Sequence, residues 1–305
     1  MQTRRSFIQK TAASTAFLGL GGVSLSSFSK PKDTHITILH TNDVHSQIEP
    51  LPNNHYKYPG LGGFSRRATL IDTIRKNNPN TLLLDAGDIF QGTPYFNYFG
   101  GELEFKLMSM LGYDVATLGN HDFDNGIDGF LSQLPNAKFD FVSANYDFSN
   151  TVLDGLVKPY KTFIKDGIKI GVFGLGVELD GLVSKRLYKE TTYLNPIELA
   201  QDTVRNLKEK EQCDLVICLS HIGYYYKNNP KKVCDLQLAR NTKDIDLIIG
   251  GHTHTLLPKP TIEKNSIGEN VLINQCGKSG VYMGQIDFYF SADGSKTANG
   301  KSILV

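Results

Sequence analysis

The sequence contains no block of lysine or arginine longer than a pair, and its formal net charge is only +1 at pH 7. That leaves no electrostatic footprint for a nucleic-acid polymer or an anionic membrane surface. Cysteine is scarce too: the four residues, at 213, 218, 234 and 276, match neither a zinc knuckle nor a redox CxxC spacing. Cys218 lies within the apolar run LVICLS, where a buried strand thiol is expected, so no chemistry is assigned to cysteine. Beyond the N-terminal region no stretch could span a bilayer, no internal repeat recurs, and no long Pro/Gly/Ser linker divides the chain. With 305 residues, 40% of them hydrophobic, one large domain with a layered core is expected.

The first residues stand apart. TRRSFIQK at 3–10 precedes an uncharged stretch over 11–29 with small and apolar residues at its centre, the layout of a cleaved export signal. Arg4 and Arg5 followed by Ser6 and Phe7 resemble a bacterial twin-arginine signal, which is presented to a translocase for folded proteins. The expected organisation is an export signal over 1–29 and one domain over 30–305. The expected location is the periplasm, with a membrane tether if the signal is not cleaved.

Short apolar, β-branched runs recur along the rest of the chain: HITILHTND (35–43), TLLLDAGD (81–88), DVATLGN (114–120), FDFVSAN (139–145), IKIGVFGLG (168–176), DLVICLSHIG (214–223), DIDLIIGGHTH (244–254), NVLINQCG (270–277) and MGQIDFYF (283–290). Several are almost continuously hydrophobic, as strands covered on both faces are. Helical patterns lie between them. NPIELAQDTVRNLKEKE opens with Asn195 as a cap and Pro196 in the first turn, and GELEFKLMSMLG and GFSRRATLIDTIRKNN read similarly. YKTFIKDGIKIGVF reads as a hairpin with a DG turn. Nine candidate strands are many for a single open sheet packed by helices, so an α/β fold with two facing sheets and helices outside is expected.

Five of the runs end in side chains that ligate metals: Asp43 and His45 after the first, Asp88 after the second, Asn120 and His121 after the third, then His221, and finally His252 and His254. The carboxyl ends of strands are where loops of α/β folds assemble a site from residues distant in sequence. Asp43, His45, Asp88, Asn120, His221, His252 and His254 together exceed what one tetrahedral zinc needs. They suit two divalent ions sharing a carboxylate, for which Asp88 is the candidate. Nitrogen and oxygen donors without sulfur point to manganese, zinc, iron or magnesium, not to copper or iron–sulfur chemistry. Each short motif alone is weak, but their joint recurrence at strand ends is not explained by turn chemistry.

These motifs, DxH, GD, GNHD, a lone H and GHxH, resemble those of the calcineurin-like metallophosphoesterases over essentially the whole of 30–305. Within that superfamily, HTNDVHSQIEP, GLGGFSRRATLI, LLLDAGDIFQGTP, TLGNHDFDNG, SANY and GGHTH resemble the catalytic domain of the 5'-nucleotidase family. That family includes UDP-sugar hydrolases, 2',3'-cyclic phosphodiesterases and related thiosulfohydrolases. The resemblance implies a four-layer α/β-β/α sandwich with two mixed sheets. It implies one ion held by Asp43, His45, Asp88 and His254, a second by Asp88, Asn120, His221 and His252, and a catalytic pair formed by His121 and Asp124. Asp122, where relatives often carry glutamate, is expected to fix the loop.

The resemblance further implies a phosphomonoesterase acting on small phosphoesters, nucleotides above all, outside the cytoplasm. The alternatives are a 2',3'-cyclic-nucleotide or nucleotide-sugar phosphodiesterase, a thiosulfohydrolase, and a metal-binding subunit that needs a partner. Full-length 5'-nucleotidases append a second domain that grips the base. This sequence ends soon after MGQIDFYF and the turn SADGS, which leaves three alternatives: a separately encoded substrate-binding protein as partner, a lone domain acting broadly on small phosphoesters, or a surface around the metals adapted to another substrate. Tyr224, Tyr225 and Tyr226 beside His221 form either a substrate- or partner-facing patch or partly buried loop aromatics.

Overall fold

The computed structural model describes residues 33–305, so the signal expected over 1–29 lies outside the described residues. In chain order the strands are β1 (Thr34–Thr41), β2 (Thr81–Asp85), β3 (Val115–Ala116), β4 (Asp140–Phe141), β5 (Tyr146–Asp147), β6 (Tyr160–Lys165) and β7 (Ile168–Gly176). They continue with β8 (Thr192–Tyr193), β9 (Leu215–His221), β10 (Leu247–Gly250), β11 (Thr261–Lys264), β12 (Asn270–Asn274), β13 (Tyr282–Phe290) and β14 (Lys296–Leu304). Two six-stranded sheets result, ordered β14-β13-β1-β2-β3-β4 and β11-β12-β10-β9-β7-β6, with β5 and β8 paired separately. Both sheets are mixed. β1 to β4 run parallel while β13 and β14 are antiparallel to their neighbours. β12, β10, β9 and β7 run parallel between antiparallel β11 and β6.

Alternation along each strand sorts its apolar side chains into separate cores. Ile36 and Ile38 of β1 and Leu82 and Leu84 of β2 meet Ile168, Ile170, Ile217 and Leu219 of the other sheet, so the two sheets pack face to face. Leu39 and Leu83 point the opposite way and pack with Phe64, Ile71, Phe105 and Phe130 from the helices Phe64–Asn77, Glu102–Leu111 and Gly126–Gln133. Phe173, Val216 and Cys218 on the outer face of the second sheet pack with Ala200, Val204, Leu238 and Ala239 of the helices Pro196–Arg205 and Asp235–Asn241. Three cores between four layers give the α/β-β/α sandwich. Cys218 is one of four buried free thiols.

Local chemistry explains several boundaries. Asn195 caps its helix by accepting from the backbone N–H groups of Ile197 (3.0 Å) and Glu198 (3.4 Å), with Pro196 preset for the first turn. β6 and β7 are joined by Asp166 and Gly167, both at positive φ (48° and 80°), the handedness that a two-residue hairpin turn requires.

Two expected strands are much shorter in the structure. DVATLGN pairs as strand only at Val115–Ala116, because β2 ends at Asp85 and leaves no ladder partner beyond it. FDFVSAN pairs only at Asp140–Phe141 before the chain crosses to the other sheet, where Val142 bridges Lys158 and the Ala144 N–H donates to the Gly174 carbonyl at 2.8 Å. Conversely, KTANGKSIL shows no apolar run yet forms all of β14, an edge strand whose exposed face needs no apolar side chains. The parallel strands of both sheets end on one side, and the loops leaving β1, β2, β3, β9 and β10 carry the site.

Candidate metal centre

Asp43, His45, Asp88 and His254 form one cluster of ligand atoms and Asp88, His221 and His252 a second, with every atom within 4.8 Å of the others in its cluster. Asp88 belongs to both. The Asn120 Oδ1 lies 2.8 Å from His252 Nδ1, which adds the carboxamide to the second cluster. The seven ligand candidates thus converge although they span residues 43 to 254. His45 and His254 face each other through their Nε2 atoms at 3.0 Å, and His254 Nε2 lies 3.3 Å from Asp43 Oδ1.

Backbone conformation produces this convergence. Asp43, His45, Asp88, His252 and His254 all sit at positive φ, between 49° and 69°, a region L-residues visit rarely. Such strain persists only where surrounding contacts enforce it, and it concentrates at functional sites. Those contacts are present. The Asp43, His45 and Ser46 N–H groups donate to the carbonyls of Gly87 (2.9 Å), Asp88 (3.0 Å) and Ile89 (2.8 Å), which locks the first loop onto the second. The His252 N–H donates to both Asp43 oxygens at 3.0 and 3.1 Å, and the Asn42 side chain donates to Asp43 Oδ2 at 2.6 Å.

Asp122 ties the loops after β2 and β3 together. Its buried carboxylate accepts from the backbone N–H groups of Asp88 (2.9 Å), Ile89 (2.9 Å), Phe90 (3.2 Å) and Gly119 (2.7 Å). Burial, with the Asp88 charge close by, pushes its pKa up to about 7.

The donor set fits divalent cations. The His221 Nδ1–H donates to the Ala86 carbonyl at 2.7 Å, the backbone contact that fixes the tautomer of a metal-binding imidazole. Its buried Nε2 then faces Asp88 Oδ2 at 3.1 Å without hydrogen-bond geometry. A lone pair aimed at a carboxylate is repulsive unless a cation or a proton lies between them. In the metal-free chain burial opposes charge on His221, yet the neighbouring Asp88 carboxylate overrides it and carries the pKa up to about 10. Burial likewise opposes charge on Asp88, and His221 and His45 hold its pKa well below the usual carboxylate range. Burial and the neighbouring His221 push His252 down to about 4, which keeps its ring neutral for ligation.

Glycine leaves the room. A Cβ at Gly251 would stand 2.7 Å from His221 Nδ1, 2.9 Å from the Ala86 carbonyl oxygen and 3.2 Å from Asp43 Oδ2. At Gly119 a Cβ would collide with Asp88 Oδ1.

His121 sits at the edge of the cluster, its ring 5.3 Å from that of His45, and its backbone N–H donates to Asp88 Oδ1 at 2.8 Å. Its Nδ1 lies 2.8 Å from Asp124 Oδ2, and that hydrogen bond holds the imidazole pKa above its usual value. A cavity of about 190 Å³ opens over His45, His121 and His254 and is walled by Gln47, Gln91 and Lys278. Residue type alone singles out none of these three walls. Lys278 offers the one usable signal, since it follows a strand that ends on the site's side of the sheet. The three tyrosines differ from one another. The Tyr224 backbone N–H donates to Thr253 Oγ1 at 3.0 Å, and the Tyr226 hydroxyl donates to the Ile222 carbonyl at 2.8 Å with its ring 6.4 Å from that of His252. Both serve the loop, while Tyr225 is exposed and outside the cavity over His121.

Residues 36–256 match the family described as calcineurin-like phosphoesterase. The chain is 34% identical over 298 residues to the trifunctional nucleotide phosphoesterase protein YfkN of Bacillus subtilis, covering 87% of this chain and 19% of that protein. It is 33% identical over 300 residues to a snake venom 5'-nucleotidase of Gloydius brevicauda, covering 88% of this chain and 48% of that one. In three dimensions it resembles the 5'-nucleotidase precursor from Thermus thermophilus, with a TM-score of 0.80 and 34% identity over 89% of this chain and 55% of the other. The chain therefore spans about half the length of these relatives, or less.

Proposed function

The chain belongs to the calcineurin-like phosphoesterase family, homologous to the catalytic domain of 5'-nucleotidases, and from that premise we propose that it hydrolyses phosphate monoesters of nucleotides. The observation that carries this reading is the pair of ligand clusters joined at Asp88, with the His121–Asp124 pair beside them. In the proposed assignment Asp43, His45, Asp88 and His254 hold one divalent ion, and Asp88, Asn120, His221 and His252 hold the other. Two such cations neutralise the phosphoryl oxygens that repel a nucleophile and acidify a water to supply that nucleophile.

The remaining work falls to the chain's own groups. Asp124 accepts from His121 Nδ1 and favours the protonated ring, leaving Nε2–H free to donate toward negative charge on the ester. As the ester bond breaks, that charge grows on the leaving oxygen, and His121 can pass it a proton. Asp122 acts at one remove, by holding the backbone that presents both Asp88 and Asn120.

The test is phosphate release from 5'-AMP by the purified chain, stripped of metal and resupplied with manganese. Release supports a monoesterase that works as this domain alone. Hydrolysis of 2',3'-cyclic AMP or a nucleotide sugar without 5'-AMP turnover would favour the diester reading. Activity only on addition of a separate substrate-binding protein would favour the dependent-subunit reading. The twin-arginine pattern at 3–10 supports a location outside the cytoplasm, which fractionation of cells carrying Arg4→Lys/Arg5→Lys would test.

A further inference from the structure

A groove of about 360 Å³ adjoins the metal cluster, within the range of about 300–1,000 Å³ usual for small-molecule sites. His254, Lys278 and Ser279 line both this groove and the smaller cavity over His121, so the two are continuous at those residues. The outer part of the groove is aromatic. The His55 and Tyr58 rings are nearly parallel (8°) with centroids 6.2 Å apart, and Tyr282 meets Tyr58 edge-on at 5.8 Å.

The wall is built in advance. His55 Nδ1 accepts from the Tyr58 N–H at 3.0 Å, and Leu51 and Gly60 close the base of the loop through the Leu51 N–H to Leu61 carbonyl bond (2.8 Å) and the Gly60 N–H to Leu51 carbonyl bond (3.0 Å). On the opposite side the Ser279 N–H donates to the Asp43 carbonyl at 2.8 Å, which fastens the Lys278 segment to a metal-ligand loop. A rigid wall loses little entropy when it takes up a ligand. The hollow lined by Val177, Tyr193 and Lys232 contains none of the cluster residues, so it offers no such continuity with the reacting phosphate.

Resting on the phosphoester reading above, we propose that the groove walled by His55, Tyr58 and Tyr282 receives the flat aromatic leaving group of the substrate, a nucleobase with its ribose. Lys278, at the junction, meets the anionic ester. Aromatic side chains stack any base through its π-face, so the groove selects nucleotides as a class over sugar phosphates without choosing among bases. The catalytic domain then carries a specificity element of its own.

Two measurements on the full chain separate this proposal from the hydrolase reading: calorimetric binding of adenosine, which has no phosphate, and the kcat/KM ratio of 5'-AMP to ribose 5-phosphate with manganese. In the wild type adenosine binds and the ratio favours AMP. Tyr58→Ala weakens adenosine binding and lowers the ratio, each about tenfold, while Tyr58→Phe, which keeps the ring, retains both. Absence of adenosine binding, or equal affinity in Tyr58→Ala and Tyr58→Phe, overturns the groove whatever the catalytic result. Tyr58-dependent adenosine binding by a chain that hydrolyses no phosphoester would leave the groove standing and remove the hydrolase reading instead.

Discussion

Gly251→Ala adds one carbon at a place where the structure has no room for it. The new Cβ would stand 2.7 Å from His221 Nδ1 and 2.9 Å from the Ala86 oxygen, the two atoms of a single buried hydrogen bond, and 3.2 Å from Asp43 Oδ2. Gly251 has no positive φ, so the backbone accepts alanine and the whole effect comes from the side-chain carbon. Both neighbours are constrained: the Ala86 N–H donates to the Thr41 carbonyl at 3.0 Å, and His221 is fully buried at the end of β9. Relief therefore requires His221 to swing away, which gives up a buried hydrogen bond at about 1–3 kcal/mol and adds repacking strain of about 1–3 kcal/mol. The metal-free chain should lose about 2–6 kcal/mol of stability to denaturant. Because the same bond orients a ligand imidazole, manganese affinity at one of the two sites should fall about 10- to 100-fold. Denaturant unfolding and manganese titration by calorimetry measure the two effects. Gly251→Ala with wild-type stability and two unchanged manganese affinities would refute the claim that His221 is a ligand held by Ala86.

Asn120→Ala should lower both manganese content and turnover, whereas His121→Ala should keep metal content near two per chain and reduce kcat about 10²-fold or more. Equal metal loss in the two variants, read by elemental analysis, would contradict the roles assigned. Asp124→Asn replaces the anionic acceptor that raises the His121 pKa with a neutral amide oxygen. If His121 acts protonated, activity is lost as pH rises through its pKa, so the variant's alkaline limb should move to lower pH; a profile unchanged from wild type would show that Asp124 does not act through His121. Asp122→Asn turns one acceptor oxygen into a donor facing backbone N–H groups, leaving two of the four present bonds unmade. Stability should drop by about 2–4 kcal/mol with weaker metal binding, and a neutral result in unfolding experiments would mean the loop is held otherwise.

The sheets are legible in the sequence where burial makes the strands apolar, and the site where ligand types collect at strand ends. IKIGVFGLG and LVICLS read as strands because both of their faces are covered, and the DG turn between β6 and β7 is legible because few residues tolerate its handedness. β14 is not legible, since an edge strand with an exposed face needs no apolar alternation. DVATLGN looks longer than it is because its apolar side chains are buried by the helical layer after the ladder has ended. The candidate ligands can be picked out from their residue types and their grouping around Asp88 follows from the family resemblance, but the positive φ of five of them, which brings them together, is announced by no residue-type pattern. The aromatic groove is invisible for a related reason: His55 and Tyr58 meet Tyr282 from more than two hundred positions away, joined only by the folded loops.

A stepwise manganese titration of the metal-free chain, with phosphate release from 5'-AMP followed at each step, bears most directly on the shared-Asp88 centre. Activity that rises as a second equivalent binds and then saturates is the expected result. Full activity at one equivalent, or binding that stops at one ion per chain, would contradict it.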